Sequence, residues 1–204
     1  MDEIKFTDIQ KDALREIGNI CAGNAATALS QLLDRKINII VPRILFLPIE
    51  EVPQAVGGSD TFVVGLMLRV LGDLPSNIIF LFSQRDALVL ASLLTNKQIT
   101  DTSVITDLER SALKEVGVIL ANAYLGALGS FVGLGLVPTV PELVMDMAGA
   151  IVDYILIELS CKSQFALLVE SEFQEPAASV TGHFFLIPNP EGLELIIRAI
   201  SSNK

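Results

Sequence analysis

Apolar residues recur with helical spacing at Ile9, Ala13, Leu14, Ile17, Ile20 and Cys21. This predicts an amphipathic helix that buries one face. Thr7 and Gln10 precede it in the T-x-x-Q pattern, in which each side chain satisfies a backbone N–H of the other, so the helix should begin near Asp8. Small residues fill 22–28, which suits close packing, and the helix should end near Asp34 with a break or kink near Gly23. The pattern then turns extended. Residues 37–41 are β-branched and stop at Pro42, which is expected to end a strand and shape the surface, while 44–49 continue as an extended segment. Pro53, Gly57 and Gly58 make 54–60 a loop or hairpin turn. Strands are expected at 61–70 and 77–82 around a turn at 72–75, then a helix at 84–94 capped by Ser83. The polar run 96–103 reads as a link between two halves.

The same plan then restarts. Thr106 and Glu109 form a second capping box, and Ser111-Ala-Leu-Lys-Glu115-Val-Gly-Val118 matches Asp12-Ala-Leu-Arg-Glu16-Ile-Gly-Asn19. Thr7 and Thr106, Gln10 and Glu109, Glu16 and Glu115, Gly18 and Gly117, and Pro42 and Pro141 are all 99 residues apart. Near the end, Phe185-Leu-Ile resembles Phe80-Leu-Phe at a spacing of 105, which implies a small insertion in the second half. The chain therefore reads as a tandem duplication, with repeats at about 7–96 and 106–201 within one domain over 1–204. Each half runs helix, strands, helix, an α-β(3)-α plan, and halves so small can share one sheet and one core. Short turns between strands favour antiparallel pairing, so the expected class is a layered α/β (α+β) fold and not a doubly wound sheet. Neither G-x-G-x-x-G nor a Walker motif is present, so nucleotide binding has no support.

Composition narrows the function. Hydrophobic residues make up 51% of the 204, ample for a core built from Leu, Ile, Val and Ala, since tryptophan is absent. The net charge of −10, with a pI near 4.5, repels nucleic acid and anionic lipid and favours protein partners. Residues 116–141 carry no charge and are long enough to span a bilayer, but polar residues and glycines interrupt them and no basic flanks follow. They read as a buried helix and the strand or loop after it. The acidic N-terminus is not a signal peptide. Cys21 and Cys161 fit no metal spacing and read as buried reduced thiols, and the single His183 lies in a strand beside Phe184 and Phe185. No metal site is expected on this chain.

The candidate chemistry lies on the first helix. Asp12, Glu16 and Asn19 fall at i, i+4 and i+7, within an arc of roughly 60°. A carboxylate can hold a cation and a carboxamide can orient a water. Spacing alone also fits the solvated face of an amphipathic helix.

The pattern [Asp or Ser]-x3-Glu-x2-Asn-x22-Pro, met by Asp12, Glu16, Asn19 and Pro42, resembles the signature of the CheC / CheX / FliY family of chemotaxis proteins. The stretch Glu16-Ile-Gly-Asn19-Ile-Cys-Ala-Gly23-Asn24-Ala-Ala, and the presence of two motif copies, resemble the CheC branch. The resemblance implies a cytoplasmic phosphatase of the phosphorylated response regulator CheY, with a pseudo-twofold fold and the two motif helices side by side. It also implies CheD as a partner. On that footing Glu16 docks against the receiver's lysine, Asn19 orients the attacking water, Asp12 supports the contact and Pro42 is structural. Mg²⁺ would belong to CheY, and this chain would bind no cofactor. The second copy keeps Ser111, Glu115 and Pro141 but has Val118 at the Asn position, so it is expected to be inactive while still able to bind. Asn122 lies one turn on, roughly 6 Å along the axis, too far to substitute. Asp146, in the stretch 141–150, is expected at the CheD contact. A binding-only adaptor for phosphorylated CheY or CheD is the alternative function.

Overall fold

The computed structural model describes residues 7–95, 105–158, 165–175 and 178–202. The linker at 96–103 and Cys161 lie outside them. Helix α1 (Asp8–Leu33) starts where the capping box places it: the Gln10 side chain accepts the Thr7 N–H at 2.8 Å and Thr7 Oγ1 accepts the Gln10 N–H. It runs through Gly23 as one continuous helix and stops at Asp34, which takes the left-handed conformation (φ 49°). Helix α4 (Asp107–Val132) repeats this, with the Glu109 carboxylate 2.7 Å from the Thr106 N–H, and ends at Gly133 (φ 72°).

The chain order is α1, β1 (Asn38–Pro48), a 3-10 turn, α2 (Val52–Ala55), β2 (Phe62–Gly72), β3 (Ser76–Ser83) and α3 (Gln84–Thr95). Then come α4, β4 (Leu136–Pro138), β5 (Glu142–Met147), α5 (Ala148–Glu158), β6 (Phe165–Glu175), β7 (Ala178–Pro188) and α6 (Pro190–Ser202). Among the described residues, seven strands form one sheet in the order β1-β6-β7-β3-β2-β4, with β5 also paired to β2. Each of these pairings is antiparallel. The halves exchange strands: β1 of the first half pairs with β6 of the second, and β4 and β5 of the second pair with β2 of the first. Neither half closes its sheet without the other.

Strict alternation along β2 and β3 sorts side chains between two cores. Val64, Leu66, Leu68, Ile78, Phe80 and Phe82 face α1, α3, α4 and α6. Val63, Ile79 and Leu81 face α2 and α5 on the other side. The apolar run beginning at Val116 is the body of α4 plus β4. Helix α4 is long and apolar enough to cross a membrane, and half of its most apolar window is buried inside this fold.

Besides the absent kink at Gly23, three expectations need correction. Pro42 does not end a strand. It lies within β1 at a bulge, where Ile40 pairs with Glu172 but Arg43 pairs with Glu170. Two residues of β1 thus oppose one of β6, and the side-chain parity flips, so that Ile39 and Val41, then Ile44 and Phe46, all face the α1 core. β1 is an edge strand, where a missing N–H is tolerated at a bulge. Each half also holds an extra helix on the far side of the sheet, α2 or α5. Finally, Phe80 pairs with Phe184, and both face the first core, whereas Phe185 faces the second. Phe80 and Phe184 are therefore the equivalent positions, one residue away from the sequence match.

Candidate functional site

Two buried residues and a glycine seat the first motif. Leu14 and Ile17 point into the core. Gly18 lies so close to β1 that a Cβ there would stand 3.1 Å from Val41 Cγ1. The bulge at 41–42 is thus the floor on which α1 rests, which explains why the proline belongs to the pattern. With Ile17 and Gly18 turned inward, Glu16 and Asn19 are turned outward, and both are exposed. Among the described residues neither side chain makes a hydrogen bond or ion pair. Asp12 is also exposed and accepts from Arg15 at 3.3 Å. The structure therefore brings Asp12, Glu16 and Asn19 onto one open face, with Pro42 exposed on the neighbouring strand.

The second motif sits on α4, packed beside α1. Ser111 and Glu115 are exposed, as Asp12 and Glu16 are, and Val118 is half-buried. Asn122 does not offer a free carboxamide: its Nδ2 donates to the Val118 carbonyl at 2.8 Å. Gly117 lets the helix close on the sheet, with a Cβ placed 3.2 Å from both Leu66 and Pro141. Pro141 is buried in the break between β4 and β5, unlike the exposed Pro42. Ser111 and Glu115 border a groove of about 340 Å³ with Leu32, Leu93 and Leu108.

A buried polar contact joins α4 to the sheet, and its members carry no signal in the sequence. The Tyr124 hydroxyl hydrogen-bonds Ser171, 47 residues away, with both side chains buried. Ser171 is the β6 residue opposite the bulge of β1. The Tyr124 ring stacks on Phe184 with centroids 4.6 Å apart and meets Phe80 edge-on. Burial raises the Tyr124 pKa, with the bond to Ser171 opposing it. Cys21 lies across from the Tyr124 carbonyl at 3.7 Å, and burial pushes its thiol up to about 12, so it is protonated and unreactive.

On the opposite face of the sheet, Arg43, Glu170 and His183 make a row across β1, β6 and β7. Arg43 pairs with Glu170 at 3.0 Å, and Glu170 is the cross-strand neighbour of His183. Burial lowers the His183 pKa, and the Glu170 charge works against that. Asp146 is exposed near the end of β5, where its Oδ1 accepts the Met147 N–H at 2.7 Å. It borders a groove of about 370 Å³ with Met67, Glu142, Val144 and Tyr154.

Known proteins resemble this chain in sequence and in fold. A model of the CheC-like family matches residues 9–45, the segment that holds the whole first motif. The protein called CheY-P phosphatase CheC from Bacillus subtilis is 36% identical over 199 residues, 95% of each chain. The flagellar motor switch phosphatase FliY of the same species is 33% identical over 89 residues, 44% of this chain and 23% of that protein. Among solved structures, FliY of Thermotoga maritima superposes with a TM-score of 0.74 at 18% identity, covering 98% of this chain and all of that one.

Proposed function

The chain belongs to the CheC-like family, and on that premise we propose that it hydrolyses the aspartyl phosphate of CheY in the cytoplasm, with Glu16 and Asn19 as its working residues. The observation that carries this reading is the pair itself: two polar side chains, unpaired among the described residues, on one exposed helix face that Gly18 seats against β1. An aspartyl phosphate on a receiver domain already has its own Mg²⁺ and lysine. What it lacks is a water fixed in line with phosphorus. Glu16 meets the receiver's lysine and sets the register of docking. Asn19 then holds a water through its carboxamide oxygen, which accepts a hydrogen bond from one O–H and leaves the water's lone pair aimed at phosphorus. Water oxygen bonds to phosphorus as the bond to the aspartyl oxygen breaks. The products are inorganic phosphate, which takes up the water's proton, and the free carboxylate. This chain supplies position only, and needs no metal or cofactor of its own.

Phosphate release from phosphorylated CheY tests the roles. Asn19→Ala should lower kcat by about 10²–10³-fold, the usual loss for one orienting group. Glu16→Ala should chiefly raise KM. If both variants matched wild type, the site would lie elsewhere.

The α4 surface supports a second, binding-only role. Glu115 remains exposed there, but Val118 cannot hold water. A separate contact for CheD is proposed at Asp146, whose carboxylate stands on an edge strand and borders a groove with the exposed Tyr154. Asp146→Lys should abolish CheD binding without changing phosphate release, and unchanged binding would remove CheD from this face.

A further inference from the structure

Gly23 is a glycine without an internal reason. It lies in the middle of α1 in ordinary helical conformation, and a Cβ there would meet nothing within 4 Å. Gly18, five residues earlier, is needed because Val41 stands against it. Nothing in the chain makes that demand of Gly23. Glycine is the poorest helix former apart from proline, so the helix would be better served by almost any other residue. The position is four residues past Asn19 and seven past Glu16, on the same face of the helix. It leaves α1 bare immediately beyond the carboxamide.

The second copy shows what the bare patch excludes. The residue 99 positions on is Asn122, exposed, with its carboxamide folded back onto the Val118 carbonyl at 2.8 Å. Its side chain therefore occupies the space that is open beside Asn19. The two motif helices differ at two neighbouring points of one surface, and only one of them, Val118, falls within the motif.

We propose that Gly23 is a positioning residue of the docking surface: the gap it leaves admits the rim of the phosphorylated receiver next to Asn19, and Asn122 closes the same gap on α4. This rests on the phosphatase reading of Glu16 and Asn19. Two obstacles, and not one, silence the second copy.

Variants at the two positions separate the possibilities. Gly23→Asn copies α4 onto α1 and should raise KM for phosphorylated CheY at least tenfold, with kcat changed less. Gly23→Ala should change KM less than threefold and raise Tm by ~2–4 °C, since alanine favours the helix. A gap of purely structural origin would move Tm and leave KM alone. In an Asn19→Ala background, Val118→Asn with Asn122→Gly should recover at least tenfold more activity than Val118→Asn by itself. Wild-type KM in Gly23→Asn, or equal recovery by the single and double changes, would overturn the proposal. A binding titration with CheY carrying a beryllofluoride phosphoryl mimic keeps the two readings distinct. If wild type binds but does not hydrolyse, the phosphatase reading falls while weaker binding by Gly23→Asn upholds the gap. Equal binding by wild type and Gly23→Asn overturns the gap whatever hydrolysis shows. Absence of binding by either overturns both.

Discussion

Helices α1 and α4 begin alike and part within two turns. Both are 26 residues long, both open with the same capping box, and both press a motif glycine against the sheet. Both leave a glutamate exposed at the matching place. Beyond that point α1 turns polar groups outward, while α4 is drawn into the core. Where α1 has Ala25, α4 has Tyr124, fully buried, stacked on Phe184 and bonded to Ser171. Where α1 rests on an exposed proline in a strand bulge, α4 rests on a buried proline in a strand break. The fold sets these two helices side by side. One keeps an open polar face, and the other anchors the sheet.

The contrast makes unequal demands on stability. Tyr124→Ala should be the most damaging change, about 3–5 kcal/mol, because it empties a large buried site and strands the Ser171 hydroxyl. Urea unfolding would measure it, and a loss under about 1 kcal/mol would mean that α4 is no more an anchor than α1. The two motif glycines give a finer comparison. Gly117→Ala crowds Leu66 and the rigid Pro141 ring at once, whereas Gly18→Ala crowds Val41 alone on an edge strand, with Ile44 at an ordinary 3.8 Å. Overpacking commonly destabilises by about 1–3 kcal/mol. Gly117→Ala should fall in that range and Gly18→Ala below it, read as a smaller drop in Tm.

The smallest effect concerns the far face. Arg43, Glu170 and His183 pair in a row across three strands, and the positions that pair in the same way at the other end of the sheet are Glu142, Met67 and Ile79. The longer α5 covers that side with Ile151 and Ile155, while the four-residue α2 leaves its own side open to polar groups. Because burial depresses the folded pKa of His183, the neutral form is the native one. Its contribution is complete above the unfolded value of about 6.5 and is lost as pH falls through the lower folded value. Wild type should therefore lose slightly more stability than His183→Gln between pH 7 and pH 5. A parallel pH profile for the two would show that His183 does not titrate with folding.

Much of this is legible in local chemistry. The capping boxes mark where both long helices begin, because Thr7 and Gln10, or Thr106 and Glu109, act over three residues and need nothing else. The constant spacing of 99 reveals the duplication and the equivalence of the two motifs. What escapes a sequence reading depends on distant partners. Pro42 reads as a strand end until β6 is known to lie beside it with one residue fewer. α5 is wholly apolar from Ala148 to Val152, so its start has no periodic polar face to announce a helix. Tyr124 and Ser171 meet only because the fold brings β6 within reach of the Tyr124 side chain on α4. The match of Phe80 with Phe185 is off by one because aromatic residues stand on both faces of β7, and only pairing decides the face. At the site, Asp12, Glu16 and Asn19 share an exposed face as their spacing requires, while Gly23 stands out in the sequence only as a possible kink. Its open surroundings are a property of the folded surface.

The most direct measurement is single-turnover phosphate release from phosphorylated CheY with Asn19→Ala and Glu115→Ala side by side. Asn19→Ala should lose about 10²–10³-fold of the acceleration, while Glu115→Ala should stay within about twofold of wild type at saturating CheY. Equal losses in the two variants, or a loss confined to Glu115→Ala, would contradict the assignment of chemistry to α1.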